Sequence, residues 1–148
     1  MKRKTVQLGV YLLAAMSFFS AMAEKRPNIV VITTDDMGVE VGAYGDAQAI
    51  TPSIDKLAAE GVLFNNAYCT QSSCSPARSS ILTGLYPHQN GQIGLEQFGY
   101  SMHRGIPTFF TRLKSAGYYT GWFGKVHVGP ADEMEASWDV HPFGAPFT

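Results

Sequence analysis

Apolar and polar positions along the chain fall into two kinds of segment. Residues 28–34 are a nearly continuous β-branched run, Asn28-Ile29-Val30-Val31-Ile32-Thr33-Thr34, suited to a strand buried on both faces of a parallel sheet. Residues 62–68 alternate imperfectly and predict a second strand, and residues 118–123 a third. Helix signals lie between them. Thr51 stands as an N-cap, Pro52 at the first helical position and Gly61 beyond the last turn, with Ile54, Leu57 and Ala58 as the buried stripe. A second helix is predicted over 76–83, stopped by Gly84, and a third after Pro107, capped by Thr108 and ended by Gly117. Strands alternating with helices predict an α/β fold, a doubly wound, mostly parallel sheet flanked by helices, with functional residues at the carboxyl ends of strands.

The first residues change the picture of where the protein works. Lys2, Arg3 and Lys4 precede an apolar run over 10–19, and Ala21-Met22-Ala23 offers a small-residue cleavage site. This predicts a secretory signal peptide at 1–23 rather than a membrane anchor, because the apolar run is too short to span a bilayer and Glu24-Lys25-Arg26 follows at once. No cysteine follows the small residues, so no lipid anchor is expected. The mature chain, 24–148, is expected to be exported to the periplasm or the extracellular space.

Without that segment 8 Lys and Arg face 12 Asp and Glu, a net charge of about −4. Such a balance excludes a broad basic field for nucleic acid; an anionic substrate would be gripped by a few local cations.

The chain has two cysteines, Cys69 and Cys74. In an exported protein a short-loop disulfide between them is one reading, and a thiol activated beside Arg78 at a helix start is another. A third comes from the run Cys74-Ser75-Pro76-Ala77-Arg78-Ser79-Ser80-Ile81-Leu82-Thr83-Gly84. It resembles the signature C-x-P-[SA]-R-x-x-x-L-T-G of the sulfatase family, with every fixed position filled.

The resemblance implies that Cys74 is oxidised to formylglycine by a formylglycine-generating maturation enzyme. One hydroxyl of the aldehyde hydrate attacks sulfur and expels the alcohol or amine. The second then loses its proton and sulfate departs, which splits a hard hydrolysis into two steps. The predicted helix start near Cys74 suits this chemistry, since unpaired N–H groups and the helix dipole favour an anion there.

Two further motifs are similar to the family's. Asp35-Asp36 follows the first predicted strand; by itself the pair reads as a turn or cap, and the resemblance assigns it, with Cys74, to a divalent cation, usually calcium. Calcium takes six or more oxygens, so the family's remaining ligands, an Asp and an Asn or His, are expected outside this chain. Gly124-Lys125-Val126-His127-Val128-Gly129 is similar to the family's G-K-x-H-x-G segment. On an extended backbone Lys125 and His127 share a face. The resemblance gives Arg78 and Lys125 the task of holding the hydrate and sulfate, and His127 that of accepting the hydrate proton. His88, His103 and His141 have no such support, although 87–91 would adjoin the pocket.

Together with Ser72-Ser73 and 87–91, these motifs are most similar to the N-sulfoglucosamine sulfohydrolases of that family. The expectation is the amino-terminal portion of an alkaline-phosphatase-like catalytic domain. Its reaction would be hydrolysis of a sulfate ester or sulfamate on a sulfated carbohydrate. A phosphodiester or phosphonate hydrolase of the same superfamily, and a truncated fragment without turnover, remain as alternatives.

Overall fold

The computed structural model describes residues 26–141; the leader predicted at 1–23 lies outside them. The chain divides into two units, one up to Thr34 and one from Asp35 onward. In the first, residues 26–34 form no regular element, and Val30 and Ile32 are 81% and 83% exposed. The predicted first strand is therefore not formed among the described residues. β-Branched side chains favour extended backbone, but a strand exists only where a neighbour takes up its N–H and C=O groups, and among the described residues no strand pairs with this run.

The second unit is mainly helical. Its described helices are α1 (Pro52–Glu60), α2 (Cys74–Thr83), α3 (Pro87–Asn90), α4 (Phe109–Ser115) and α5 (Ala131–Ser137), with 3-10 turns at Gly42–Tyr44 and Glu96–Phe98. Residues 62–68 are irregular and exposed. Of residues 118–123, Gly121 makes a single parallel bridge to Val140, extended by Trp122 N–H to the Val140 carbonyl at 3.1 Å and Val140 N–H to the Thr120 carbonyl at 3.2 Å. The predicted sheet is reduced to that bridge among the described residues.

The helices depart from expectation in instructive ways. Thr51 does not cap α1 with its side chain; its hydroxyl accepts Gly42 N–H at 2.9 Å and donates to Asp55 Oδ1 at 2.9 Å. The hydroxyl thus ties the helix start to the preceding turn. The expected apolar stripe of α1 is uncovered, with Leu57 68% exposed. In α4 the expected cap is present: the Thr108 hydroxyl accepts Thr111 N–H while Thr111 Oγ1 accepts Thr108 N–H. This reciprocal pair satisfies two donors that the helix leaves free. Helix α5 has no counterpart in the sequence reading, although Asp132 and Glu133 in its first turn match the positive end of the helix dipole.

Helix α2 begins at Cys74, two residues earlier than predicted. Pro76 is accommodated because the first turn needs no N–H from that position. Gly84, at φ 71°, closes the helix in the left-handed conformation that glycine adopts without steric cost. Ser75, Pro76, Ser79 and Leu82 form its buried face. Leu82 packs with Met102, Phe110, Val126, Val128, Met134 and Trp138 in one core, flanked by Phe109 and Trp122. Trp122 stacks on Trp138 with centroids 5.8 Å apart, and Phe110 meets both rings edge-on. No helix among the described residues is long and apolar enough to cross a membrane.

The difference between α2 and α1 is measurable in this 148-residue chain. Leu82→Ala, at a position 1% exposed, should cost about 2–5 kcal/mol. Leu57→Ala should change stability by no more than about 0.5 kcal/mol. Urea unfolding midpoints of the two variants check both.

Candidate active site

Cys74 is the first residue of α2, so its side chain sits where the helix presents unpaired N–H groups. It is partly exposed, and both cysteines are free thiols. Cys69 Sγ lies 3.4 Å from Ser72 Oγ. The disulfide reading is therefore not the state of this structure.

Arg78 stands one turn after Cys74 on α2, on the same side of the helix. Its side chain is only 12% exposed. Nη1 donates to the Lys125 carbonyl at 2.8 Å, and Nη2 lies 3.4 Å from Asp35 Oδ1. Lys125 Nζ donates to the other oxygen, Asp35 Oδ2, at 2.9 Å. One carboxylate is thus bracketed by two cations, and the guanidinium of one also holds the backbone carbonyl of the other. The structure brings Asp35, Arg78 and Lys125 together across 90 positions of sequence.

This arrangement holds the Asp35 carboxyl below its ordinary pKa, chiefly through the Lys125 hydrogen bond, with the charges of Lys125 and Arg78 adding to it against a smaller opposing effect of desolvation. The sign follows: the pairing stabilises the fold above the ordinary carboxylate range and is lost as pH falls through the lowered value.

Lys125 reaches Asp35 and His127 reaches Gln97 from a segment whose other side chains are buried. Val126 and Val128 are 4% and 3% exposed and lie in the core, so the polar residues are turned from it, as alternation predicts. Gly124, at φ 99°, begins the segment, with its carbonyl held by Trp122 Nε1 at 3.0 Å. His127 itself has φ 52°, and Asp36 has φ 51°. Non-glycine residues in this region are uncommon, and they gather at functional sites.

His127 Nε2 meets Gln97 Oε1, while Nδ1 is buried and finds no hydrogen-bond partner among the described residues. Burial first, and then the positive charge of Lys125, push the imidazole below its ordinary pKa. Its neutral form is favoured in the folded state, so stability declines as pH falls from the ordinary imidazole value to the lowered one.

Sequence reasoning missed several residues that support these groups. Asn90 is fully buried and donates to Ser79 Oγ at 3.0 Å and Thr83 Oγ1 at 3.4 Å, holding α2 from α3. Thr83 in turn donates to the Ser79 carbonyl at 2.7 Å. A buried amide is invisible to a hydropathy pattern, which places Asn at the surface. His88 stacks on Tyr86 at 5.7 Å.

Two adjacent carboxylates are donors of the kind a hard cation takes. In number they fall short: among the described residues no three His, Cys, Asp or Glu side chains gather as a metal site. Both Asp35 oxygens face cationic side chains instead.

Against known proteins, the sulfatase family profile, described as "Sulfatase", matches residues 27–146. Human N-sulphoglucosamine sulphohydrolase is 39% identical over 140 residues, covering 90% of this chain and 26% of the relative. N-acetylgalactosamine-6-O-sulfatase of Bacteroides thetaiotaomicron is 39% identical over 108 residues, covering 71% of this chain and 21% of the relative. A crystal structure of a candidate sulfatase from the same organism superposes with a TM-score of 0.58 at 31% identity, over 74% of this chain and 24% of that one. Such neighbours carry the alkaline-phosphatase-like fold. The chain spans about a quarter of the length of the curated relatives it matches. With a profile match across nearly all the described residues, and with the Arg78 and Lys125 motifs meeting on Asp35, the chain belongs to the sulfatase family.

Proposed function

We propose that this chain carries the nucleophile end of an exported sulfatase that hydrolyses a sulfate ester or sulfamate on a sulfated carbohydrate. The observation that carries the reading is the meeting of Arg78 and Lys125 around Asp35, in the unit whose helix α2 starts at Cys74. The 39% identity to a sulphohydrolase of N-sulphoglucosamine supports the sugar class. The leader-like residues 1–23 support export.

Formylglycine made from Cys74 by a maturation enzyme would supply the attacking hydroxyl and, after sulfur transfer, a second hydroxyl whose loss of a proton releases sulfate. The chain's own residues do the rest. Lys125 and Arg78 offer positive charge where sulfuryl oxygens gain negative charge, and being held in place they need not reorganise. The start of α2 adds N–H donors to the same region. His127, kept neutral, accepts the proton of the second hydroxyl.

Asp35 and Asp36, with the modified Cys74, are proposed as one part of a divalent cation site, calcium being the ion the family resemblance implies. Its other ligands would lie beyond the described residues, and when bound the ion would polarise the sulfate group.

Three measurements test the reading. Mass spectrometry of the tryptic peptide 57–78 from natively expressed protein should show loss of the Cys74 sulfur and gain of an aldehyde; an intact thiol would count against the nucleophile. In the full-length enzyme Cys74→Ala should abolish sulfate release, and retained turnover would sink the mechanism. The acid limb of kcat/KM should lie below about 6.5, the ordinary imidazole value, because activity requires neutral His127. His127→Ala should remove that limb and lower kcat on the order of 100-fold or more.

A further inference from the structure

The loop after α3 joins the helix of Cys74 to the segment of His127, and its contacts serve neither the core nor the ion-pair cluster. On the α2 side Ser75, fully buried beside Cys74, accepts Glu96 N–H on Oγ at 3.0 Å. Gln71 Nε2 donates to the Ile93 carbonyl at 3.1 Å. On the other side Gln92, also fully buried, donates from Nε2 to the Gly94 and Tyr100 carbonyls at 2.9 Å each, and its Oε1 accepts Gly129 N–H at 3.3 Å. Between these anchors the turn Glu96–Phe98 presents Gln97, whose Oε1 meets His127 Nε2.

An amide oxygen only accepts, so the imidazole nitrogen facing it must carry the hydrogen. In a neutral ring the other nitrogen then holds the lone pair. That nitrogen, Nδ1, is buried and unpartnered among the described residues. We propose that Gln97 is a positioning residue for the sulfatase reaction: its side-chain carbonyl holds His127 Nε2–H, fixes the tautomer, and makes Nδ1 the nitrogen that takes the hydrate proton. The inference rests on the reading of His127 as proton acceptor. In the step it describes, the O–H bond of the second hydroxyl breaks, its proton joins Nδ1, and the O–H electron pair forms the carbonyl as sulfate leaves. The imidazolium so formed keeps Nε2–H on the Gln97 oxygen, whose dipole favours the new charge.

Gln97 is exposed, so replacing it disturbs no packing and its role can be separated from a structural tether. The experiment is long-range proton–nitrogen NMR on the full-length enzyme labelled with 15N-histidine, the His127 signal being assigned by its loss in His127→Gln. Wild type should show Nε2 protonated and Nδ1 bare. Gln97→Ala should give a mixture of tautomers and lower kcat on the order of tenfold with KM unchanged. Gln97→Glu, which keeps an acceptor oxygen, should restore the single tautomer and most of kcat. A wild-type ring protonated on Nδ1, or a tautomer unchanged in Gln97→Ala, would overturn the proposal. A tautomer that shifts in Gln97→Ala with kcat unchanged would leave the Gln97 contact standing and overturn the proton-acceptor role of His127.

Discussion

The Asp35 carboxylate between Lys125 and Arg78 is the constraint on which the site depends. Its partners come from separate parts of the chain, at 2.9 and 3.4 Å, and each is fixed by something other than the ion pair. Arg78 rides on a helix anchored by the burial of Pro76, Ser79 and Leu82. Lys125 adjoins Val126, a core residue, and its carbonyl is tied to Arg78. An ion pair this exposed adds little net stability, because water and side-chain entropy offset the attraction. Its effect is geometric: two cations already held by the core converge on one anion.

Beneath that cluster lies a second constraint, a set of buried polar groups. Ser75, Ser79, Asn90 and Gln92 are fully buried, and each makes hydrogen bonds that recover what desolvation costs. Apolar contacts tolerate sliding, whereas an amide such as Gln92, bonded to three backbone groups at once, tolerates only one arrangement. The core thus supplies the bulk of the stability and the polar layer sets how α2, the loop after α3 and the His127 segment lie against one another.

What could be read from sequence follows from this division. Helix α2 and the cap at Thr108 were legible because local chemistry determines them: a glycine stop and a hydroxyl cap. The three strands were legible only as tendencies, since among the described residues 28–34 and 62–68 have no ladder partners of the kind that turn β-branched runs into strands. The stripe of α1 failed similarly, for periodicity marks which face is apolar and not what covers it. Gln97 gave no signal at all. An exposed polar residue in a Gly-rich loop looks like solvent-facing chain until the ring it meets is placed by folding.

Asp36 and His127 show the same logic at the level of backbone. Both sit near φ 50°, a conformation that costs most residues some stability but is least unfavourable for Asn, Asp and His. One follows the ion-paired Asp35 and the other follows Lys125 by two positions, so the two unusual backbones flank the two halves of one contact. A regular extended strand through either position would point the next side chain to the opposite face. Left-handed backbone departs from that geometry at one residue, yet at His127 the burial of Val126 and Val128 on either side is kept. Residue types that tolerate the conformation and also carry the chemistry are few, which gives a physical reason for an aspartate and a histidine, rather than a glycine, to occupy these two positions.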